Sequence, residues 1–331
     1  MKERPLRWGV LGAAWIAGRA VLPAIQAGGG ELVALASRDR ARGQEMASRF
    51  GIPLVLDDYA RLLEVELDAV YLPLPNSLHL PWTLGAVAAG KHVLCEKPLA
   101  LSGAEAREIS AAATASGLVV AEALMYRYHP RWRTVRQLVA EGRLGSLRHL
   151  QGCFSFPLGP PPNIRWVAGL GGGALYDVGS YLLSAARWLA GEPDRVLARV
   201  GRRHGVDSDG SVLLEFSGPA GPVAAELAFS FEAVEHEELV LIGTEAILVV
   251  PKPFTAWTGE AIPLQLRGGP GRGSEAIITA AADPYREMVV AFTASVRGGH
   301  APFTDCGDAA RNLAVLEACQ RSAAGGRWER P

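Results

Sequence analysis

The chain has 331 residues, a formal net charge of −1, 49% hydrophobic and 20% charged residues. That balance gives no global attraction to nucleic acid or an anionic membrane, and no apolar run reaches the roughly 18 residues a membrane-spanning helix needs. At about 150 residues per domain the length predicts two domains; four cysteines without CxxC spacing, and no leader ahead of the first apolar run, predict free thiols in a cytoplasmic protein with no structural metal.

From Leu6 to about Glu122 short apolar runs alternate with amphipathic stretches. The pattern predicts strands over 6–11, 32–36, 69–72, 92–94 and 118–121, with helices over 16–27, 40–50, 78–89 and 104–115 between them. Ser102 stands where a helix start belongs, and Gly51, Gly90 and Gly117 where helices end. Strand-helix repetition of this kind predicts a doubly wound parallel sheet of the Rossmann type over residues 1–125.

After Pro130 the texture changes. A helix over 132–141 leads to a strand over 147–156, a Pro/Gly-rich loop over 157–173 and a helix over 176–189. Further strands follow over 195–203, 211–216, 223–231, 238–242 and 246–250, joined by short turns, which predicts an α+β domain on an antiparallel sheet over 126–331. Two helices, over 284–297 and 305–323, close the chain; they are expected to pack back on the N-terminal domain.

Chemistry-bearing residues fall at particular points of this pattern. Gly12-Ala13-Ala14-Trp15-Ile16-Ala17 follows the first strand and opens the first helix, where backbone N–H groups and the helix dipole hold a pyrophosphate; of the G-x-G-x-x-G pattern only Gly12 is present. The second strand ends in Ala36-Ser37-Arg38, where an NAD site places a carboxylate for the ribose 2′-hydroxyl. Ser37, Arg38 and, one turn on, Arg42 suit a 2′-phosphate instead, so the cofactor is expected to be NADP(H), with NAD as the alternative. The direction of the neighbouring Asp39 is open at this level.

Lys97, in Glu96-Lys97-Pro98, stands at the carboxyl end of the strand over 92–94, on the rim where open α/β sheets bind ligands. Asp177 and Tyr181 are four apart behind the glycine run Gly171-Gly172-Gly173, which places them on one face of a helix. A phenol ordinarily keeps its proton near neutral pH, and a nearby cation such as Lys97 favours the phenolate that can take a proton from an alcohol. The plain alternative is a half-buried helix tyrosine with a dipole-complementing acid. Asn163 and Arg165 are candidates for sugar binding, and so is Tyr126, which with Tyr128 points one way if the segment is extended. His129, ahead of Pro130, reads as the start of a helix rather than as a base.

These residues carry a resemblance. Trp8-Gly9-Val10-Leu11-Gly12, Tyr71-Leu72-Pro73-Leu74-Pro75-Asn76-Ser77-Leu78-His79, Gly90 to Pro98, Glu122 to Pro130, and Gly172 to Tyr181 resemble the Gfo/Idh/MocA oxidoreductases, in the branch of glucose-fructose oxidoreductase, dihydrodiol dehydrogenase and NADP-dependent xylose dehydrogenase. The resemblance implies that Leu74, Asn76, His79, Glu96 and Lys97 line the nicotinamide and its ribose. It also implies that Lys97, Asp177 and Tyr181 are the catalytic set, with tyrosine where inositol-dehydrogenase-like members place histidine. The implied fold is a Rossmann domain followed by a large, mostly antiparallel open sheet that packs subunit to subunit, hence a homodimer or homotetramer. Ala14 departs from the middle fingerprint glycine; Ser180 and Val167-Ala168-Gly169-Leu170 are atypical and border the expected substrate pocket, so substrate identity does not transfer. The expected activity is NADP(H)-dependent hydride transfer at a hydroxyl or carbonyl carbon of a sugar or polyol, such as aldose C1 oxidation or its reverse. Three alternatives stay open: a dihydrodiol dehydrogenase, a sugar-sugar oxidoreductase with tightly bound NADP, and a non-catalytic dinucleotide or sugar sensor on the same scaffold.

Overall fold

The computed structural model describes residues 4–218, 221–256, 261–269, 273–302 and 304–331. They form two compact units, Met1–Tyr128 with Asp283–Ala310, and His129–Ala282 with Arg311–Pro331. In the first lie β1 (Arg7–Leu11), α1 (Leu22–Ala27), β2 (Glu31–Ala36), α2 (Arg40–Phe50), β3 (Leu54–Leu56), α3 (Tyr59–Leu63), β4 (Ala69–Leu72), α4 (His79–Ala88), β5 (His92–Cys95), α5 (Gly103–Ser116) and β6 (Val120–Glu122). The sheet order β3-β2-β1-β4-β5-β6 with parallel pairing throughout is the doubly wound arrangement expected from the alternation. β3 and α3 were not legible in the periodicity, since three- and five-residue elements are too short to display a period.

Local chemistry explains the boundaries. Ser102 Oγ accepts the Glu105 N–H at 3.1 Å while Glu105 Oε2 accepts the Leu101 N–H at 2.9 Å, a reciprocal cap that starts α5 directly after the Glu96-Lys97-Pro98 segment. Gly117 ends it in the left-handed region at φ 67°. The core is anchored by Trp8 on β1, fully buried and 5.2 Å from the ring of Phe292.

In the second unit α6 (Pro130–Ala140) precedes β7 (Leu147–Ser155), α7 (Ser180–Ala190), β8 (Arg195–Arg203), β9 (Val206–Gly218), β10 (Gly221–Ser230), β11 (His236–Gly243), β12 (Ala246–Pro251), β13 (Leu264–Gly268) and β14 (Ser274–Ile277). Among the described residues they form an eight-stranded sheet, β14-β13-β12-β11-β7-β10-β9-β8, antiparallel except where β7 meets β10. Buried and solvent-facing residues alternate along β9 and β10, so one face is covered. α7 lies on that face and approaches β7 closely at Gly152, where a Cβ would come within 2.9 Å of Leu182. β13 and β14, the last two strands at one end of the sheet, were not legible in the sequence because short strands rich in Gln, Arg, Glu and Ser carry little apolar signal. Two helices complete the chain: α8 (Pro284–Val296), which carries Phe292, and α9 (Cys306–Gly325). No helix among the described residues is long and apolar enough to cross a membrane.

His129 caps α6, its Nδ1 accepting the Arg131 N–H at 3.1 Å. Burial first, and the Arg131 charge second, hold its pKa at about 4, below the ordinary 6.5. The folded state therefore favours the neutral ring, and stability from this site, full above pH 6.5, is lost as pH falls towards 4. Urea midpoints measured across that window are expected to fall less steeply in His129→Asn, which keeps a capping acceptor and has no proton to gain.

Candidate active site

The nucleotide end is built in the first unit. Gly12 leaves β1 at φ +116°, and a Cβ there would sit 3.0 Å from Leu74 Cδ2 and 3.4 Å from Pro73 O, so only glycine fits this turn. The Gly12 N–H donates to Ala36 O at 2.8 Å, tying the turn to the end of β2. Helical geometry then runs from Trp15 to Ala27, with a widened π-helical turn over Ala17–Val21. Ala13 is buried, Ala14 and Ile16 are half-buried, and Trp15 is 70% exposed. Such a cradle, a glycine-only turn feeding the first turn of a helix, fits a dinucleotide pyrophosphate.

At the end of β2, Ser37 is buried and its hydroxyl donates to Asp39 O at 2.8 Å. The structure settles the direction of Asp39: its Oδ1 accepts the Arg42 N–H at 3.1 Å as the N-cap of α2. That carboxylate serves the helix start, while Arg38 and Arg42 are exposed. The local charge suits a 2′-phosphate better than a bare ribose.

Two loops at the carboxyl ends of β4 and β5 carry Leu74, Asn76, Glu96 and Lys97. Their backbone is held by buried side chains. The Tyr71 hydroxyl donates to Glu96 Oε1 at 2.7 Å, and the Lys97 N–H donates to Glu96 Oε2 at 3.3 Å. Burial, reinforced by the Glu96 charge, pushes the Tyr71 phenol well above its ordinary range, so it remains a donor. The Leu99 N–H donates to Glu122 Oε1 at 2.9 Å. His79, wholly buried at the start of α4, sits between two carbonyls, Nδ1 at 2.7 Å from Pro98 O and Nε2 at 2.8 Å from Leu74 O. A ring so engaged joins the Leu74 loop to the Lys97 loop; the sequence resemblance assigned it to the cofactor lining. Neither Tyr71 nor Glu122 was found from sequence, although Glu122, a carboxylate closing an apolar strand, is the kind of anomaly that marks a buried anchor.

The extended reading of Tyr126 and Tyr128 is corrected. Met125–Tyr128 is a single 3₁₀ turn, which sends alternate residues to different sides. Arg127 pairs with Asp308 at 2.7 Å, and the Tyr128 hydroxyl lies 3.0 Å from Thr304 Oγ1, so the anchors at 304–308 curl the segment. Tyr126 is 1% exposed, and its hydroxyl accepts from Arg127 Nε at 3.3 Å.

The second unit carries Asp177 and Tyr181. Gly172 and Gly173 are fixed by close approach: a Cβ on Gly172 would come within 2.5 Å of Arg165 O, and one on Gly173, at φ +123°, would strike the Asp207 carboxylate. Asp207 Oδ2 accepts the Leu175 N–H at 2.5 Å at the head of the helical run. A π-helical turn spans Leu175–Gly179 before α7 begins, so Asp177 lies in a widened turn and Tyr181 in the regular helix behind it. Asp177 Oδ2 accepts from Arg165 Nε at 2.7 Å, with Arg165 42% exposed, which joins two residues that the sequence singled out separately. Asn163 Oδ1 accepts the Arg165 N–H at 3.0 Å and shapes the turn that presents this guanidinium. Tyr181 is 7% exposed, its ring centroid 5.3 Å from that of Phe254 and 5.8 Å from that of Phe154.

Comparison with known proteins follows the same division. Residues 6–124 match the oxidoreductase family model GFO_IDH_MocA, described as an NAD-binding Rossmann fold, and residues 132–249 match the GFO/IDH/MocA C-terminal domain. The chain is 37% identical to D-xylose 1-dehydrogenase (NADP(+)) 2 of Haloferax volcanii over 96% of its own length and 97% of that protein. It is 38% identical to dTDP-3,4-didehydro-2,6-dideoxy-alpha-D-glucose 3-reductase of Streptomyces violaceoruber, covering 95% and 93% of the two chains. Among solved structures it is similar to a 3-ketoreductase from Actinomadura kijaniata in complex with NADP and TDP-benzene, with TM-score 0.89, 33% identity and coverage of 96% and 98%. That ketoreductase has also been solved with a tyrosine replaced by phenylalanine and with a lysine replaced by alanine.

Proposed function

The chain belongs to the GFO/IDH/MocA oxidoreductase family, and from that premise we propose that it transfers hydride between NADP and a hydroxyl or carbonyl carbon of a sugar or related polyol, with aldose C1 oxidation or its reverse as the leading case. The observation that carries this reading is the pinned loop of Lys97, whose backbone is tied through Glu96, His79 and Glu122 at the carboxyl edge of a parallel sheet. The lysine and the tyrosine replaced in the Actinomadura kijaniata ketoreductase variants are separated along that chain by the same number of residues as Lys97 and Tyr181 here, which supports assigning both to the reaction.

NADP would be held by the Gly12–Ile16 turn at its pyrophosphate, by Ser37, Arg38 and Arg42 at its 2′-phosphate, and by Leu74, Asn76 and Glu96 about its nicotinamide half. When bound, the nicotinamide supplies or accepts the hydride. Tyr181 takes the proton of the substrate hydroxyl in oxidation and returns it in reduction. Lys97 holds the substrate oxygen and stabilises charge developing on it. Asp177, oriented by Arg165, receives the neighbouring substrate hydroxyl, with Arg165 and Asn163 on the substrate side. Tyr126 acts through Arg127 rather than by reaching substrate. His79 acts through the two loops it joins.

A homodimer or homotetramer formed through the large sheet belongs to this reading, supported by its outward face, where Leu213 is 42% exposed beside Gln151, Cys153 and Glu226. A cytoplasmic setting suits its four free cysteines.

The test is absorbance at the reduced-nicotinamide band with NADP⁺ and a panel of aldoses and dihydrodiols. Turnover of an aldose supports the reading. Tight NADP⁺ binding with no turnover of any substrate would favour a sensor. Arg38→Asp is expected to lower kcat/KM with NADP⁺ relative to NAD⁺ by about 10–100-fold, the worth of a charged hydrogen bond and the repulsion that replaces it. An unchanged ratio would remove Arg38 from the site.

A further inference from the structure

From the last residue of β12 the chain enters a short segment in which every residue from Pro251 to Thr255 is held through its backbone by a side chain from elsewhere in the second unit. Arg131, 1% exposed, donates from Nη2 to Pro251 O at 2.8 Å and from Nη1 to Lys252 O at 2.9 Å. Trp132 Nε1 donates to Pro253 O at 2.8 Å. The carboxylate of Glu237 accepts the Phe254 N–H at 3.0 Å, the Thr255 N–H at 2.9 Å and the Thr255 hydroxyl at 2.6 Å. Lys252 is held at φ +43°, an uncommon conformation for a residue with a side chain.

This is a costly way to hold five residues. Burying a guanidinium and a carboxylate carries a desolvation penalty that well-packed apolar side chains would avoid. Burial pushes the Arg131 pKa down to about 10 and raises that of Glu237, so both charges are borne against their environment. What the clasp delivers is Phe254, 1% exposed, with its ring 5.3 Å from Tyr181, 5.5 Å from Phe154 and 6.3 Å from Trp132. Phe154 on β7 meets Tyr181 edge-on. The hydroxyl of a tyrosine lies on the axis about which the outer torsion turns, so its place is set by the inner torsion and by the tilt of that axis, and side chains packed against the ring hold both. Two of those walls are Phe154, fixed by the sheet, and Phe254, fixed by the clasp.

We propose that Phe254, set in place by Arg131 and Glu237, is a positioning residue that fixes the Tyr181 ring for proton transfer. The proposal rests on Tyr181 being the acid/base, and the experiment separates the two. Phe254→Leu is expected to lower kcat by about 10–100-fold, the scale of a misplaced reacting group, with sugar KM and the NADP⁺ Kd from tryptophan fluorescence changed by less than about threefold. Phe254→Tyr, which keeps the ring, is expected to restore most of the rate. In a Tyr181→Phe background Phe254→Leu should cost almost nothing further, because the group it positions is gone. Full activity of Tyr181→Phe alone would sink the catalytic reading of Tyr181. A slow Tyr181→Phe whose residual rate falls again by the full factor on adding Phe254→Leu would sink the positioning proposal and leave the catalytic reading standing. Glu237→Gln, which leaves Phe254 present but loosens the segment, serves in the same cycle should Phe254→Leu not fold, with the same two outcomes.

Discussion

Tyr181→Phe is expected to lower kcat by about 10²–10⁴-fold, the usual worth of a positioned acid/base. The ring stays between Phe154 and Phe254, and the variant loses one oxygen without opening a cavity, so the thermal midpoint should move little. The substitution removes no group proposed to hold NADP, so the NADP⁺ Kd should stay as it was. Lys97→Met in the same assay should also slow the reaction, and the two losses combined should fall short of their product, because groups that act as a unit lose their effect together. The measurements are steady-state kcat and KM with an aldose, and a binding titration of NADP⁺. A Tyr181→Phe enzyme that keeps its kcat would transfer the proton to another group and leave Tyr181 as a core residue of α7.

What could be read from the sequence was local. Parallel strands buried on both faces show as unbroken apolar runs such as Ala69–Leu72, and the caps at Ser102 and Gly117 are written in single residues, so the first sheet was legible almost strand by strand. The short motifs that carry Lys97, Asp177 and Tyr181, the residues proposed for the reaction, stand out for the same reason, each beside a strand end or a glycine run. The supports of the site were not. Tyr71 reaches Glu96 across 25 residues, Arg131 reaches Lys252 across 121, and no periodicity encodes such pairs. Glu237 stands in the acidic run Glu235-His236-Glu237-Glu238, which has the composition of a solvated face, yet its carboxylate gathers three donors. Tyr126 and Tyr128 failed in the other direction: their spacing suggested a strand, and distant anchors, Asp308 and Thr304, made a turn of it.

His79→Ala is expected to be the most damaging change in the first unit that touches no substrate. A neutral imidazole carries one N–H and donates to either Leu74 O or Pro98 O, whereas the imidazolium donates to both. Burial, the larger influence, lowers the ring's pKa, and the two carbonyls oppose it. Truncation leaves a cavity in a wholly buried position and at least one carbonyl without its donor, a loss of about 2–4 kcal/mol measurable as a shift in the urea midpoint at unchanged slope. The kinetic consequence follows from what the ring joins. With the strut gone, the Leu74 loop and the Lys97 loop can shift independently, and a displacement of about 1 Å at Lys97 is enough for a loss on the order of 10²-fold in kcat. His79→Gln offers both its N–H groups from a single nitrogen, whereas the ring sets one nitrogen 2.7 Å from Pro98 O and the other 2.8 Å from Leu74 O, so the variant should recover part of the stability and less of the rate. Equal recovery of both would mean that His79 only fills the core; a rate that stays low while stability returns would identify it as the strut that sets the lysine.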